Sequence, residues 1–242
     1  GNDKDAGRKV RQILEREGWQ LHAIINTHSN ADHIGGNRYL QQQTGCKVYA
    51  KGVEAAFTAY PELEPAFLYG GYPFADLRHK FLMAPSSQVS DMDSLYEDEA
   101  LRELEIIPLP GHFFQMVGVR IPDGTLFLAD CLSSRATLDK YKVSFIYDVA
   151  SYLETLDKVM TMEAALFVPA HAEATDSIRS LAEYNKQCVH EIAAKLLELC
   201  AAPQTFESVL KAVFDYYGLT MNFQQHVLVG STIRSYLAWL KD

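Results

Sequence analysis

The sequence has few cysteines, no long apolar run and no excess of basic residues. Its four cysteines stand apart from one another, with no CxxC pair among 242 residues, which argues against a zinc ribbon and favours free thiols. The longest apolar run, "ALFVPA", has about six residues, whereas a membrane-spanning helix needs about 20. The formal net charge of −9 argues against a nucleic-acid-binding surface. We therefore expect neither a membrane nor a nucleic acid as a partner.

The bulk composition is that of an ordinary globular protein. Apolar residues make up 48% and charged residues 22% of the chain, and the length allows one large domain or a domain with an appendage. The first residues, "GNDKDAGRKV", contain no apolar segment of the signal-peptide type. On these grounds we expect a cytoplasmic protein.

The first part of the chain alternates helix and strand. Residues 4–17 carry apolar side chains at helical spacing, and Gly18 ends that pattern. Residues 21–27 are apolar and short, as in a strand that is buried on both faces. A second helix is predicted over 37–45 and a second strand over 46–50. This order is typical of an α/β fold.

The middle of the chain adds more strands. A strand is predicted at 104–109, and residues 114–130 are predicted to form a hairpin whose turn is Pro122-Asp123-Gly124. A helix at 151–163 then leads to a strand at 165–168. The segment 51–92, rich in aromatics, Pro and Gly, fits two interpretations equally: a pocket wall or an irregular helical connection.

The C-terminal part carries only helical signals. After Thr175, apolar residues recur at helical spacing until Pro203; a second helix is predicted from an N-cap at Thr205 to Gly218, and a third follows. We therefore predict a domain over 1–175 and a helical appendage over 176–242. The charge of the appendage is close to balanced, so its apolar helix faces should pack rather than bind nucleic acid.

Potential metal ligands follow four of the predicted strands. The first group lies in "NTHSNADHIGGN", and single residues follow the three later strands. Side chains at strand ends are held by the rigid sheet beneath them, and imidazole and carboxylate are ligands of zinc and iron. The candidate ligands are His28, Asn30, Asp32, His33, His112, Asp130 and His171.

The remaining histidines show no such pattern. We interpret His22, His79, His190 and His226 as surface or hydrogen-bonded residues rather than ligands. Cys131, which follows Asp130, is interpreted as a packing residue.

The motifs "THSNADHIGG", "PGHF", "LADC" and "VPAHAE" occur in this order and resemble those of the metallo-β-lactamase superfamily, in particular its glyoxalase II branch. The resemblance covers residues 1 to about 175 and implies a four-layer αββα sandwich. It also implies two metal sites. Site 1 would contain His28, residue 30 and His112; site 2 would contain Asp32, His33 and His171; Asp130 would bridge them.

The sequence departs from the family pattern at three places. Asn30 replaces the second histidine of His-x-His-x-Asp-His, and an amide is a poorer zinc ligand than an imidazole. The strands that precede the first helix in the family are missing from the sequence, so we expect exposed apolar residues on the hairpin at 117–129. The C-terminal helices resemble the start of a winged helix, but Asp242 is reached before any wing. We expect these helices to form part of the pocket at the metal site, with a remote dimerisation module as the alternative.

The resemblance favours a metal-dependent hydrolase of small ester, thioester or lactam-like substrates, with Asp32 and Asp130 as the catalytic carboxylates. The expected cofactor is zinc, one or two ions with site 1 weakened by Asn30, or alternatively iron or manganese. A mononuclear non-heme iron thiol or persulfide oxygenase is one alternative, since His28, His112 and Asp130 supply two imidazoles and a carboxylate. A non-catalytic binding module is the other. The expected partner is a small-molecule substrate, with a homodimer as a further expectation.

Overall fold

The structure, a computed structural model, describes residues 3–242. The described chain divides into two units: the first ends at Glu103 and the second covers Leu104–Asp242. Each unit has its own sheet. The helices that surround each sheet are given with it below.

The first unit contains three short parallel strands in its described part. These are β1 (Ala23–Ile25), β2 (Lys47–Ala50) and β3 (Ser90–Asp91), paired in the order β1-β2-β3. The α-helices of this unit are α1 (Lys4–Glu17), α2 (Ala31–Ile34), α3 (Asn37–Thr44), α4 (Gly52–Ala59) and α5 (Leu63–Tyr69). Short 3-10 helices lie at Ala75–Leu77, Met92–Glu97 and Glu99–Leu101.

Helix α1 agrees with its prediction at both ends. The Asp3 side chain caps its first turn by accepting hydrogen bonds from the backbone N–H groups of Asp5 and Ala6. Gly18 ends the helix in the left-handed conformation, at φ 68°. The helix packs closely on α3, because Gly7 and Gly36 meet where a Cβ on Gly7 would lie 2.9 Å from the Gly36 carbonyl oxygen.

The first predicted strand is shorter and less buried than expected. The sequence predicts a strand over 21–27 buried on both faces, whereas β1 covers only Ala23–Ile25 and its three residues are half-buried. The reason is its position, since β1 is an edge strand of its sheet. The central strand β2 instead carries the buried residues Val48, Tyr49 and Ala50.

The segment 51–92 satisfies both of its interpretations. It contains α4, α5 and the first of the 3-10 helices, so it is an irregular helical connection. Its residues also line a cavity of about 550 Å³ in the first unit, between Glu62 and Met83. The same two helices supply two buried glutamates, described with the site below.

The second unit is built on a mixed sheet. Its strands are β4 (Glu105–Pro108), β5 (Val117–Arg120), β6 (Thr125–Ser133) and β7 (Leu166–His171), in the order β4-β5-β6-β7. The β4–β5 and β5–β6 pairs are antiparallel and the β6–β7 pair is parallel. Its helices are α6 (Arg135–Tyr141), α7 (Val149–Thr161), α8 (Arg179–Leu199), α9 (Phe206–Tyr217) and α10 (Phe223–Lys241).

The hairpin prediction is confirmed, but the exposure expected of it is wrong. Strands β5 and β6 pair across the turn at 122–124, as the sequence predicts. Their apolar residues are mostly buried, including Val117, Leu126 and Leu128 at 0% exposure. Phe127 is the exception, at 39% exposure.

The three C-terminal helices are present where the sequence predicts them, and Thr205 and Gly218 cap α9 as expected. They share one hydrophobic core with the sheet: Leu196, Ile233 and Tyr236 belong to the same buried cluster as Leu126 and Leu156. A domain boundary near residue 175 stays a prediction. None of the helices in the described part of the chain combines the length and apolar character that a bilayer crossing requires.

Candidate metal centre

In the first unit, the predicted ligand segment lies directly after β1. His28 is fully buried, and the ring centroids of His28 and His33 are 4.1 Å apart. Asp32 Oδ2 lies 3.5 Å from His33 Nε2, and the Asp32 side chain is half exposed. The structure thus brings three of the four candidate ligands of this segment together.

The orientation of the His28 ring is set by its neighbour. The Thr27 hydroxyl lies 3.1 Å from His28 Nδ1, within hydrogen-bonding distance. A hydrogen bond at one ring nitrogen fixes the ring and assigns the other nitrogen to a ligand role, as is usual for metal-binding histidines. Only with the proton on Nδ1, donated to the Thr27 hydroxyl, does Nε2 present the lone pair that a metal ligand needs.

Asn30, the fourth candidate, is held by a buried glutamate. Its Nδ2 donates a hydrogen bond to Glu64 Oε1 at 2.8 Å, and the backbone N–H of Ala31 donates to Glu64 Oε2 at 3.1 Å. Glu54 holds the preceding residue: its Oε2 accepts from the Ser29 N–H at 3.0 Å and from the Ser29 hydroxyl at 2.6 Å. Sequence reasoning missed both glutamates.

Burial dominates the electrostatics of Glu64. Removal from water raises the pKa of its carboxyl to about 8. The hydrogen bonds from Asn30 and Ala31 oppose this rise in pKa, while the nearby charges of Asp32 and Glu54 add to it. Glu64 is thus an acidic residue on the buried face of helix α5. Its hydrogen-bond partners lie in the ligand segment.

In the second unit, two candidate histidine ligands lie beside the candidate carboxylate ligand, Asp130. Asp130 Oδ2 lies 3.0 Å from His171 Nε2 and 3.7 Å from His112 Nε2. Asp130 is 9% exposed. The family resemblance assigns these histidines to different sites and Asp130 to both, and a carboxylate that contacts both histidines is consistent with that assignment. The assignment itself stays a prediction.

The backbone around these residues is irregular in ways that aim the side chains. Ala129 has a φ of 51°, in the left-handed region, and the β6–β7 register shifts on both sides of it. Such a bulge redirects the next side chain, here that of Asp130. Before His112, Gly111 has a φ of 117°, and a Cβ there would lie 2.3 Å from the Tyr152 backbone nitrogen. Residue 111 therefore has to be glycine.

The end of β6 is completed by a side chain. Asn185 of α8 accepts from the Ser133 N–H at 2.9 Å through Oδ1 and donates to the Ser133 carbonyl at 2.9 Å through Nδ2. This pairing takes the place of a neighbouring strand. It ties the strand that carries Asp130 to the helices that follow residue 175.

A cavity of about 580 Å³ in the second unit opens beside these ligands. Its wall includes His112, Asp130 and His171 on one side and Leu228 and Val229 of α10 on another. Helix α10 thus forms part of the wall of this cavity, as the expectation for the C-terminal helices requires; the metal site itself stays a prediction. The cavity is of the size that small-molecule ligands occupy.

The donor set fits a divalent transition metal. Two imidazoles with their Nε2 atoms around one carboxylate oxygen is an arrangement that zinc, iron and manganese accept. Sulfur takes no part: Cys131 is fully buried, and burial, with the charge of Asp130, raises the pKa of its thiol. All four cysteines are free thiols, as predicted.

The other histidines have local contacts, consistent with the non-ligand interpretation. His22 Nε2 lies 2.8 Å from Asp98 Oδ2, and His79 Nδ1 accepts from the Phe81 N–H at 3.1 Å. Their exclusion from the metal site stays a prediction.

Comparison with known proteins places the chain among relatives. The family model described as "Metallo-beta-lactamase superfamily" matches residues 1–171. A hydroxyacylglutathione hydrolase of Rhizobium meliloti is 28% identical over 131 residues, covering 54% of this chain and 41% of the relative. A beta-lactamase-like protein 2 homolog of Drosophila melanogaster is 22% identical over 176 residues, covering 71% of this chain and 52% of the relative. The chain thus spans about half, or less, of the length of these relatives.

Solved structures share the fold. A metallo-beta-lactamase family protein from Thermus thermophilus aligns with a TM-score of 0.71 at 18% identity, over 96% of this chain and 79% of that one. A beta-lactamase domain protein from Burkholderia ambifaria aligns with a TM-score of 0.67 at 16% identity, over 97% and 75%. The predicted fold class is confirmed.

Proposed function

Because the chain belongs to the metallo-β-lactamase superfamily, we propose that it is a metal-dependent hydrolase of small ester, thioester or lactam-like substrates. The observation that carries the proposal is the meeting of His112 and His171 at Asp130, on the wall of a cavity large enough for a small molecule. Several relatives are named hydroxyacylglutathione hydrolases. Hydroxyacylglutathione is a thioester, and this favours thioesters within the proposed class.

The residues proposed to hold the metal are those that follow the family pattern. They are His28, Asp32 and His33 after β1, and His112, Asp130 and His171 in the second unit. We propose zinc as the ion, one or two per chain, with iron or manganese as alternatives. A bound divalent ion polarises a carbonyl group and lowers the pKa of a coordinated water towards about 7.

The proposed chemistry of the chain itself rests on its carboxylates. Asp32, half exposed beside His33, accepts a proton from the attacking water and later passes it to the leaving group. Asp130 places one carboxylate oxygen 3.0 Å from His171 Nε2 and 3.7 Å from His112 Nε2, so it would share an ion with either ring. The apolar residues Val143, Phe145 and Leu228 line the cavity and exclude water from a bound substrate.

The proposal is tested on protein purified without chelator. Metal content is measured by elemental analysis, and hydrolysis is assayed with lactoylglutathione as thioester, p-nitrophenyl acetate as ester and nitrocefin as lactam. Asp130→Ala should lose metal and activity, and Asp139→Ala, which removes an exposed carboxylate from α6, should retain both. A metal-loaded wild-type protein that hydrolyses none of the three classes would contradict the proposal.

A mononuclear iron oxygenase is the second candidate function. It is favoured by the contact between His112 and Asp130, two members of the set His28, His112 and Asp130, since two imidazoles and one carboxylate are also the ligands of non-heme Fe(II) oxygenases. Iron in the purified protein, together with oxygen consumption in the presence of a thiol or persulfide, would support it. Zinc in the purified protein and thioester hydrolysis without oxygen uptake would exclude it.

A further inference from the structure

Two buried carboxylates hold the segment that carries the first-unit ligands. Glu54 of α4 is 0% exposed and Glu64 of α5 is 4% exposed. A buried carboxylate lowers stability unless hydrogen bonds compensate its loss of hydration. Glu54 receives such hydrogen bonds from Ser29, and Glu64 receives them from Asn30 and Ala31.

The segment between these contacts lies between the proposed ligands. Residues 29–31 separate His28 from Asp32 and His33. Because Glu54 fixes the backbone at Ser29 and Glu64 fixes it at Ala31, the two glutamates set the spacing of the ligands on either side. Hydrogen-bonding partners of this kind orient ligands and tune metal affinity.

Glu64 also determines what residue 30 can do. Its two oxygens face two donors on successive residues, the Asn30 side-chain amide and the Ala31 backbone N–H. In the structure the side chain at position 30 donates to Glu64 through the amide of Asn30.

We propose that Glu64 is a positioning residue that acts through Asn30 and Ala31, and that Asn30 serves it as a hydrogen-bond donor. The inference rests on the proposed function in one respect, since it takes His28, Asp32 and His33 as metal ligands. It also gives a physical reason for the asparagine within a motif that otherwise follows the family pattern.

The test exchanges donor and acceptor between positions 30 and 64. Asn30→Asp places a second carboxyl group against Glu64, and Glu64→Leu removes both acceptors. Glu64→Gln alone keeps an oxygen for the Ala31 N–H, and its amide can donate to Asn30 once the Asn30 amide turns over. In the double variant, the amide introduced at position 64 donates to the carboxylate introduced at position 30, and its oxygen accepts from Ala31. Position 30 is the N-cap of α2, where Asp is accepted as readily as Asn, so the helix itself does not oppose the change.

The measurements are zinc affinity by chelator competition, the visible spectrum of the Co²⁺-substituted protein, and the melting temperature of the metal-free protein. Asn30→Asp and Glu64→Leu should each lose about tenfold or more in zinc affinity, and the double variant Asn30→Asp/Glu64→Gln should recover most of the loss of Asn30→Asp and the wild-type Co²⁺ spectrum. Glu62→Gln changes the exposed residue that precedes α5 and should change neither the zinc affinity nor the Co²⁺ spectrum. Asn37→Asp, which removes a buried amide donor to Asn26, should lower the melting temperature without changing zinc affinity.

Three outcomes would overturn the inference. Tighter zinc binding by Asn30→Asp would identify residue 30 as a ligand. A double variant no better than Asn30→Asp alone would show that positions 30 and 64 do not act as a pair. Singles that melt earlier but bind zinc as the wild type does would reduce Glu64 to a stabilising role. A protein that binds zinc and hydrolyses no substrate contradicts the proposed function alone, because none of these measurements needs turnover.

Discussion

At the scale of single residues, Asp130 has the largest expected effect on metal binding. Both second-unit histidines contact its Oδ2 atom, so its removal disturbs more ligands than the removal of either ring. We predict that Asp130→Ala lowers metal affinity by more than about tenfold, and by more than His112→Ala or His171→Ala does. Elemental analysis after dialysis against graded chelator measures the order.

The three variants need a control for general damage. Asp139→Ala removes a carboxylate of the same unit that is 63% exposed, and it should leave metal content unchanged. Equal losses for Asp130→Ala, His112→Ala and His171→Ala would show that the carboxylate is not shared between the two histidines.

Ala129 stores backbone strain next to Asp130. An L-residue in the left-handed region costs about 1–2 kcal/mol, and glycine removes that cost while adding about 0.5–1 kcal/mol of lost chain entropy. Ala129 is also buried, and glycine there deletes a methyl group whose burial contributes about 0.8 kcal/mol. At a φ of 51°, relief of strain should offset both losses, so we predict that Ala129→Gly changes the free energy of unfolding by less than about 1 kcal/mol. Urea denaturation of the metal-free protein measures the change.

The matched substitution in an ordinary conformation should destabilise the protein more. Ala193 is buried inside helix α8, where glycine costs about 1 kcal/mol relative to alanine and deletes a buried methyl group worth about 0.8 kcal/mol. If Ala129→Gly destabilises the protein as much as Ala193→Gly does, the left-handed conformation carries no strain.

Candidate ligands could be predicted from sequence because each follows a strand, and a strand can be recognised from local pattern. The supporting glutamates could not. Glu54 and Glu64 contact residues that are 25 and 34 positions away, and in sequence they look like the polar positions of short helices. The left-handed Ala129 was equally invisible, since nothing in "FLADC" marks a bulge.

At the scale of elements, helix α10 should influence substrate binding. Leu228 lines the cavity that His112 and Asp130 also line. We predict that Leu228→Trp, which fills part of that cavity, raises KM for the preferred substrate by about tenfold with a smaller change in kcat, as expected when binding space is lost. The measurement is steady-state kinetics with whichever of the three test substrates the wild-type protein hydrolyses fastest.

His226→Ala is the control for this helix. It changes an exposed residue of α10 outside the cavity wall and should leave KM unchanged. Unaltered KM in Leu228→Trp, for every substrate accepted, would mean that α10 borders the cavity without touching bound substrate.

Elements differed from their predictions where their neighbours decide burial. The helices α1, α9 and α10 agree with the sequence pattern because caps and periodicity are local features. Strand β1 proved shorter and half-buried because it is an edge strand, and pairing order cannot be read from a short apolar run. The hairpin of β5 and β6 is buried because residues of α7 and α8 share its hydrophobic core. The expectation of exposure rested on the family pattern and did not count these helices.

At the scale of the whole molecule, metal stoichiometry follows from Asn30. The motif supplies one imidazole fewer than the family pattern, so we predict a content nearer one than two ions per chain. Elemental analysis of protein purified without chelator, with the concentration from amino-acid analysis, gives the number. Two fully occupied zinc ions per chain, with Asn30 bound directly to one of them, would contradict the prediction.

The pairing between Asn185 and Ser133 has a consequence for the way the second unit opens. Because the Ser133 N–H donates to a side chain of α8, its hydrogen should exchange with solvent only when that side chain lets go. The strand end and the helix are then expected to open as one cooperative unit. Asp130 lies three residues before this tie, which is made by a residue 52 positions further along the chain than Ser133.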